Sequence, residues 1–101
     1  MAKLVVLYKR PSDVAAFERY YHLTHAPLVK KIPGLKRFEV SQAPIISPTG
    51  AAYYFAAIME YESMEALDRG MKSPEGQAAA ADVANFGQAG ADVLIVDTKS
   101  I

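Results

Sequence analysis

The sequence predicts an α+β domain of the ferredoxin-like type, with a four-stranded antiparallel sheet and helices on one face. The predicted elements run strand, helix, strand, strand, helix pair, strand, which is the split βαβ order. With 101 residues, 51% of them hydrophobic and 22% charged, the chain suffices for one compact domain over residues 1–101 and not for two. Several predicted strands are apolar on both faces. Because helices cover only one face, we expect a second copy on the other face, forming a dimeric α+β barrel.

The first predicted strand runs from Lys3 to Lys9 and is rich in β-branched and aromatic residues before Pro11. Alternate side chains of a strand point to opposite faces. Both faces of this strand are apolar, so it must be covered on both sides.

The first helix follows Ser12 and Asp13, which supply N-capping oxygens. Pro27 removes a backbone donor and disfavours helical geometry at the preceding residue, so we expect a kink or an end near residues 24–26. The apolar positions of this helix recur at helical spacing and form one narrow stripe. They are Val14, Phe17, Tyr21, His25 and Leu28.

Two strands are predicted in the middle of the chain. Residues 35–43 alternate apolar and polar side chains, which is typical of a strand near an edge with one face in water. After a loop rich in Pro and Gly, residues 52–61 are again apolar on both faces. Strict alternation places Tyr53 with Phe55 on one face and Tyr54 on the other.

The C-terminal third predicts a helix pair and a last strand. Ser63 caps a helix that reaches about Lys72, and Pro74 occupies the first turn of a second helix that continues to Phe86. Alanine dominates this second helix, which allows close approach to other backbone. Residues 93–98 alternate as a strand.

Both histidines of the chain, His22 and His25, lie in the first helix, three residues apart. Three interpretations remain open. In the first, His25 is a buried structural residue bonded to a carbonyl or a tyrosine hydroxyl. In the second, the pair faces a pocket between helix and sheet and acts on a ligand by hydrogen bonding or proton transfer. In the third, Glu18 joins both histidines in a metal site. The metal site has the weakest support, since three ligands from one kinked helix are a poor signal, and we predict no metal.

The aromatic residues of the chain extend the pocket interpretation, although core or interface packing is the more common role of any single tyrosine. We expect Tyr8 and Tyr21 to supply orienting hydroxyls beside the histidines. Four further residues are expected to contact the ligand. They are Phe17, Tyr53, Phe55 and Leu28.

Charge and composition exclude several kinds of partner and site. Eleven basic residues balance eleven acidic ones, which argues against nucleic-acid binding, and zero net charge permits self-association. The absence of cysteine excludes disulfides and thiolate chemistry. No apolar stretch is long enough for a signal peptide or a membrane span, so we expect a soluble cytoplasmic protein without a membrane partner.

Five segments together resemble the EthD family, and the His-x-x-His-x-Pro-Leu core is their most specific part. They are Tyr8 to Pro11, Phe17 to Leu28, Lys31 to Leu35, Ser73 to Gln77 and Asp82 to Phe86. The resemblance implies a dimeric α+β barrel. It also implies a link to degradation of ethyl tert-butyl ether, where a family member assists a cytochrome P450 system. Relatives by fold include cofactor-free monooxygenases, muconolactone isomerases and haem-binding proteins, so the fold does not select a reaction.

From the residues and the resemblance together, we expect a homodimer that binds a small apolar organic ligand and serves catabolism or detoxification. Its chemistry would be cofactor-free acid-base or oxygen-dependent chemistry, with His25 transferring the proton and His22 as its partner. The alternative is a non-catalytic accessory protein that supports an oxygenase of the cytochrome P450 type.

Overall fold

The computed structural model describes all residues, 1–101, and has the predicted order of elements. The strands are β1 (Ala2–Lys9), β2 (Leu35–Val40), β3 (Tyr53–Tyr61) and β4 (Ala91–Asp97). The helices are α1 (Val14–Tyr20), α2 (Ala26–Val29), α3 (Met64–Lys72) and α4 (Pro74–Asp82), with a π-helical turn (Tyr21–His25) joining α1 to α2 and a 3₁₀ turn (Val83–Asn85) after α4.

The four strands form one sheet in the order β2-β3-β1-β4, and every neighbouring pair is antiparallel. The ferredoxin-like α+β fold is thus confirmed, including the edge position of β2. That strand ends at Val40, before the expected Ala43. The other edge strand, β4, stays about half exposed on both faces; Val93 and Leu94 are 59% and 47% exposed.

The two faces of the sheet differ in cover. In β1, Leu4, Val6 and Tyr8 are buried beneath the helices, whereas Val5 and Leu7 on the opposite face are only partly buried. The alternation predicted for β1 is therefore confirmed. It leaves an apolar sheet face that no helix of this chain covers.

The first helix is capped as predicted but does not break at Pro27. The Asp13 carboxylate accepts a hydrogen bond from the Ala16 amide at 3.0 Å. Further along, the Ala26 amide bonds to the Tyr21 carbonyl five residues earlier, which widens one turn. In an α-helix the ring of Pro27 would collide with the carbonyl of Leu23. The wider turn lets the helical path continue to Val29.

A bulge in β3 alters the predicted faces of two tyrosines. Phe55 pairs with Tyr8 and Tyr53 pairs with Lys9, so Tyr54 is an extra residue without a partner. Tyr54 therefore turns to the helix side, where its hydroxyl donates to Glu18 at 2.9 Å. Tyr53 instead reaches Asp92 of β4. The prediction that Tyr53 shares a face with Phe55 was wrong because strict alternation ignores the bulge.

Aromatic rings fill the core between α1 and the sheet. Phe17 and Tyr21 of the first helical path lie against Tyr8 and Phe55, with ring centroids 4.7–6.0 Å apart and mostly in edge-to-face geometry. Phe86, which follows the 3₁₀ turn, completes this cluster. The cluster fills the centre of the space between α1 and the sheet.

The helix pair α3 and α4 is joined at one residue. The hydroxyl of Ser73 donates to the Gly70 carbonyl at 2.6 Å and accepts from the Gly76 amide at 3.0 Å, so it caps α4 while closing α3. Gly76 packs directly on the end of α3. A Cβ atom at this position would lie 2.0 Å from the Gly70 carbonyl oxygen. None of the helices has the length and apolar character needed to cross a membrane.

The Gly76 contact predicts a large stability effect from one methyl group. Gly76→Ala should lower the free energy of unfolding by about 2 kcal/mol or more, because the overlap involves backbone of α3 that cannot rotate away. Denaturant unfolding measures this as a lower midpoint at similar slope. Ala78→Ser, on the exposed side of the same helix, is the control and should change stability little. Equal midpoints for both variants would contradict the predicted overlap.

Candidate functional site

A cavity of about 230 Å³ lies between the sheet and the helices α2, α3 and α4. Fourteen residues line it, and all but His25 and Gly76 have apolar or aromatic side chains. They are Leu4, Val6, Tyr8, His25, Val29, Ile32, Met59, Met71, Gly76, Ala79, Ala80, Val83, Ala91 and Val93. The sequence predicted a pocket between the first helix and the sheet. The cavity lies instead mainly under α4, because the aromatic cluster occupies the space beneath α1.

His25 is the polar end of this cavity and is bonded to a buried acid. Its Nδ1 atom lies 3.0 Å from Oδ2 of Asp82, at the end of α4, and both side chains are more than nine-tenths buried. Nδ1 donates to the carboxylate when Asp82 is ionised. The Nε2 atom has no hydrogen-bond partner within the protein and belongs to a side chain that lines the cavity.

The charge states of the pair follow from burial and hydrogen bonding. Burial lowers the pKa of His25 below its usual value, and the hydrogen bond to Asp82 only partly opposes this. Burial acts to raise the pKa of Asp82, but hydrogen bonds from Tyr20, Asn85 and His25 together lower it. At neutral pH the pair is therefore a neutral imidazole hydrogen-bonded to a carboxylate. Because both folded pKa values lie below the unfolded ones, both groups lose stabilising free energy as the pH falls through those values.

Asp82 is held by three donors. Its Oδ1 atom accepts from the Tyr20 hydroxyl at 2.6 Å and from the Asn85 amide at 2.9 Å, while Oδ2 faces His25. Tyr20 comes from the end of α1 and Asn85 from the 3₁₀ turn. These contacts fix the carboxylate, and the carboxylate fixes the ring of His25 with Nε2 free.

Tyr8 and Tyr21 both lie next to this end of the cavity. Tyr8 lines it directly, and the rings of Tyr21 and His25 are 5.1 Å apart. Burial raises the pKa of both tyrosines, so both hydroxyls stay protonated. The Tyr21 hydroxyl is buried without a hydrogen-bond partner. Of the two, only Tyr8 lines the cavity.

His22 does not share the cavity with His25. It is exposed on the outer side of the π-helical turn, where its Nε2 atom lies 3.3 Å from a carboxylate oxygen of Glu18. The two side chains border a separate hollow of about 500 Å³ beside residues 40–44, between α1 and the edge of the sheet. His25 is instead bonded to Asp82. The two histidines therefore do not face the same space, and Glu18 contacts His22 but not His25.

The four residues predicted to contact a ligand are dispersed. Phe17 and Phe55 belong to the aromatic cluster, Leu28 is partly buried against the core, and Tyr53 lies at the start of β3. None of the four lines the cavity beside His25. The helical and strand periodicities identified them as inward-facing, but inward-facing residues of this domain pack mostly against each other.

The EthD domain model matches residues 9–88 of this chain. A curated relative from Rhodococcus erythropolis, an uncharacterized 11.0 kDa protein in the thcB-thcC intergenic region, is 37% identical over 101 residues, which cover 100% of this chain and 98% of the relative. This chain belongs to the EthD family.

Two solved structures extend the comparison. An ethyl tert-butyl ether degradation (EthD) family protein from Bacillus halodurans is similar with a TM-score of 0.89 and 36% identity, covering 98% of this chain and 99% of that protein. A dimeric ferredoxin-like protein of unknown function from Thermobifida fusca is similar with a TM-score of 0.71 and 17% identity, covering 96% of this chain and 90% of that one. The second likeness is one of fold.

Sequence reasoning missed Asp82 as a site residue of this EthD domain. The signal was present, since Asp82 is an acidic residue directly after a run of four alanines and begins the segment Asp82 to Phe86 used for the resemblance. Its partner His25 is 57 residues away, so no spacing rule could pair them. Only the packing of α4 against the π-helical turn brings them together.

The bonding around Asp82 predicts how the pKa of His25 responds to a distant hydroxyl. Tyr20→Phe removes one donor from the carboxylate, which then accepts more strongly from His25 and favours the imidazolium form. The pKa of His25 should rise relative to the unaltered protein. NMR titration of the two histidines measures it, with His22→Gln used for assignment.

Tyr53→Phe is the matched control for this titration, because it also removes a tyrosine hydroxyl bonded to an aspartate, but at Asp92 of β4. It should leave the pKa of His25 unchanged. An identical titration of His25 in both variants would show that Tyr20 does not act on the His25–Asp82 pair.

Proposed function

We propose that this EthD-family chain is a cytoplasmic homodimer that binds a small apolar organic ligand in the cavity beside His25 and transfers a proton there. Its role would be catabolism or detoxification of small molecules. The single observation that carries the proposal is that His25 lines an apolar cavity while its Nδ1 atom is bonded to Asp82 and its Nε2 atom has no partner in the protein. A neutral imidazole fixed in this way is a general base.

The cavity supports the binding part of the proposal. Its lining is apolar except for the His25 nitrogen and the Tyr8 hydroxyl, which is the usual composition of a small-molecule site. Small side chains on α4, Ala79 and Ala80 among them, provide the space. The site needs no cofactor for proton transfer.

The proposed chemistry is proton abstraction from a weakly acidic position. Nε2 of His25 takes a proton from a carbon next to a carbonyl, the C–H electron pair moves into the C–C bond, and the carbonyl oxygen gains negative charge. Tyr8 donates a hydrogen bond to that oxygen. Asp82 stabilises the imidazolium that forms, as a carboxylate does behind a histidine base. Returning the proton to carbon completes the reverse step.

The homodimer is supported by the uncovered sheet face. Val5, Leu7 and Ile58 are only partly buried there, and Leu94 and Val96 of β4 are 47% and 45% exposed. A contiguous apolar face of this kind is typical of an interaction surface. The protein of similar fold from Thermobifida fusca is dimeric. In a dimer of this chain, the uncovered apolar face of one copy would pack against the same face of the other.

We predict that this protein accelerates exchange of the α-protons of 2-tetralone, a neutral bicyclic ketone, with deuterium from heavy water. His25→Gln removes the base, so the protein-dependent exchange rate should fall about 100-fold. Proton NMR of the ketone measures the exchange. Ala80→Leu should also reduce it by filling the cavity, and Ala81→Leu, one residue away and outside the lining, is its control.

The outcomes separate the proposed activities. If His25→Gln and the unaltered protein exchange the ketone protons at the same rate, proton transfer is contradicted. If the ketone nevertheless binds, and Ala80→Leu weakens that binding, the results favour a binding protein that supports an oxygenase of the cytochrome P450 type. No difference between Ala80→Leu and Ala81→Leu in either binding or exchange would contradict the cavity as the site.

The dimer proposal is tested with two arginine variants. Leu94→Arg places a charge on the uncovered sheet face and should weaken self-association at least tenfold, because the interface would bury that charge against apolar side chains. Leu23→Arg, at a leucine 72% exposed on the π-helical turn, should leave association unchanged. Sedimentation equilibrium at micromolar concentration measures both. A protein that is monomeric without any substitution would refute the dimer.

A further inference from the structure

We infer the chemical class of the ligand, which rests on the function proposed above. The ligand is an uncharged, largely apolar molecule of roughly ten non-hydrogen atoms, since a 150 Å³ cavity accommodates benzene and this one measures about 230 Å³. It carries one weakly acidic hydroxyl, that of a phenol or of the enol form of a ketone, and this hydroxyl donates to Nε2 of His25.

The charge distribution around the cavity excludes ionised ligands. No Lys, Arg, Asp or Glu is among its lining residues. A carboxylate or phosphate would lose its hydration without gaining a cationic partner, which strongly disfavours its binding. It would also face Asp82, whose negative charge lies directly behind the His25 ring. An ammonium group gains little from the same acid, because Asp82 already accepts three hydrogen bonds and does not line the cavity.

The hydrogen-bonding capacity of the cavity favours a ligand, or the enol form of one, that offers one donor. With Nδ1 donating to Asp82, the free Nε2 of neutral His25 is an acceptor. The Tyr8 hydroxyl is the only other polar side-chain group in the lining and is held in its protonated form. A single hydroxyl on the ligand can donate to Nε2 and accept from Tyr8. Additional polar groups would be buried against methyl groups without partners.

The apolar part of the lining favours a compact ring system over a long chain. On one side lie small residues of α4, namely Gly76, Ala79 and Ala80, and on the other lie Leu4 and Val6 of β1. Such opposed walls fit the two faces of a fused ring, with the hydroxyl at the His25 end.

Four naphthalene derivatives test this class on the unaltered protein. 2-Naphthol and 2-methylnaphthalene have the same shape and differ in the hydroxyl; 2-naphthoate and 2-naphthamide have the same shape and differ in charge. Near neutral pH, 2-naphthol should bind about fivefold more tightly than 2-methylnaphthalene, as expected for one net hydrogen bond. 2-Naphthoate should bind at least tenfold more weakly than 2-naphthamide. NMR chemical-shift titration gives all four dissociation constants.

The results distinguish a wrong ligand class from a wrong function. Binding of all four probes at the cavity with equal affinity, or tighter binding of 2-naphthoate than of 2-naphthamide, would overturn the class while leaving a ligand-binding cavity. No binding of any probe at the cavity would overturn both. Ala80→Leu should weaken binding of the three neutral probes, and Ala81→Leu should leave it unchanged, which shows that the affinities belong to this cavity.

Discussion

The hydrogen bond between His25 and Asp82 joins the two halves of this domain and defines its polar centre. His25 belongs to the first helical path and Asp82 to the end of α4, so the bond ties these two helical segments together on one face of the sheet. A buried carboxylate is destabilising unless donors surround it. The donors are Tyr20 at the end of α1, His25 at the end of the π-helical turn and Asn85 in the 3₁₀ turn. These hydrogen bonds therefore satisfy the buried carboxylate and at the same time fix the orientation of the His25 ring.

The π-helical turn decides which histidine faces inward. Two histidines three residues apart share one side of a regular α-helix. Here the widened turn sits at residues 21–25, with His25 buried at its end and His22 exposed at its second position. The interpretation of His25 as a structural residue and its interpretation as a proton carrier are compatible, because one ring nitrogen bonds Asp82 and the other remains free.

The sizes of the side chains explain why the interior is filled beneath α1 and contains a cavity beneath α4. Beneath α1, five aromatic side chains meet in mutual contact and fill the space. Beneath α4, glycine and alanine leave a gap that apolar residues of β1 and β3 border without closing. Expectations based on aromatic content placed the ligand in the first part, since aromatic residues commonly line ligand sites. The cavity beside His25 lies in the second part, where side chains are small.

Much of this protein was determined by sequence alone. Hydrophobic alternation, capping residues and the positions of Pro and Gly are local signals, and they predicted the order of elements, the antiparallel sheet with β2 at its edge, and the burial of His25. Tertiary structure alone decided the bulge that exchanges Tyr53 and Tyr54, the pairing of His25 with Asp82, and the position of the cavity. These features depend on contacts between residues far apart in the chain and on how much volume their side chains leave unfilled. Periodicity specifies which way a residue faces, but it carries no information about what that residue meets there.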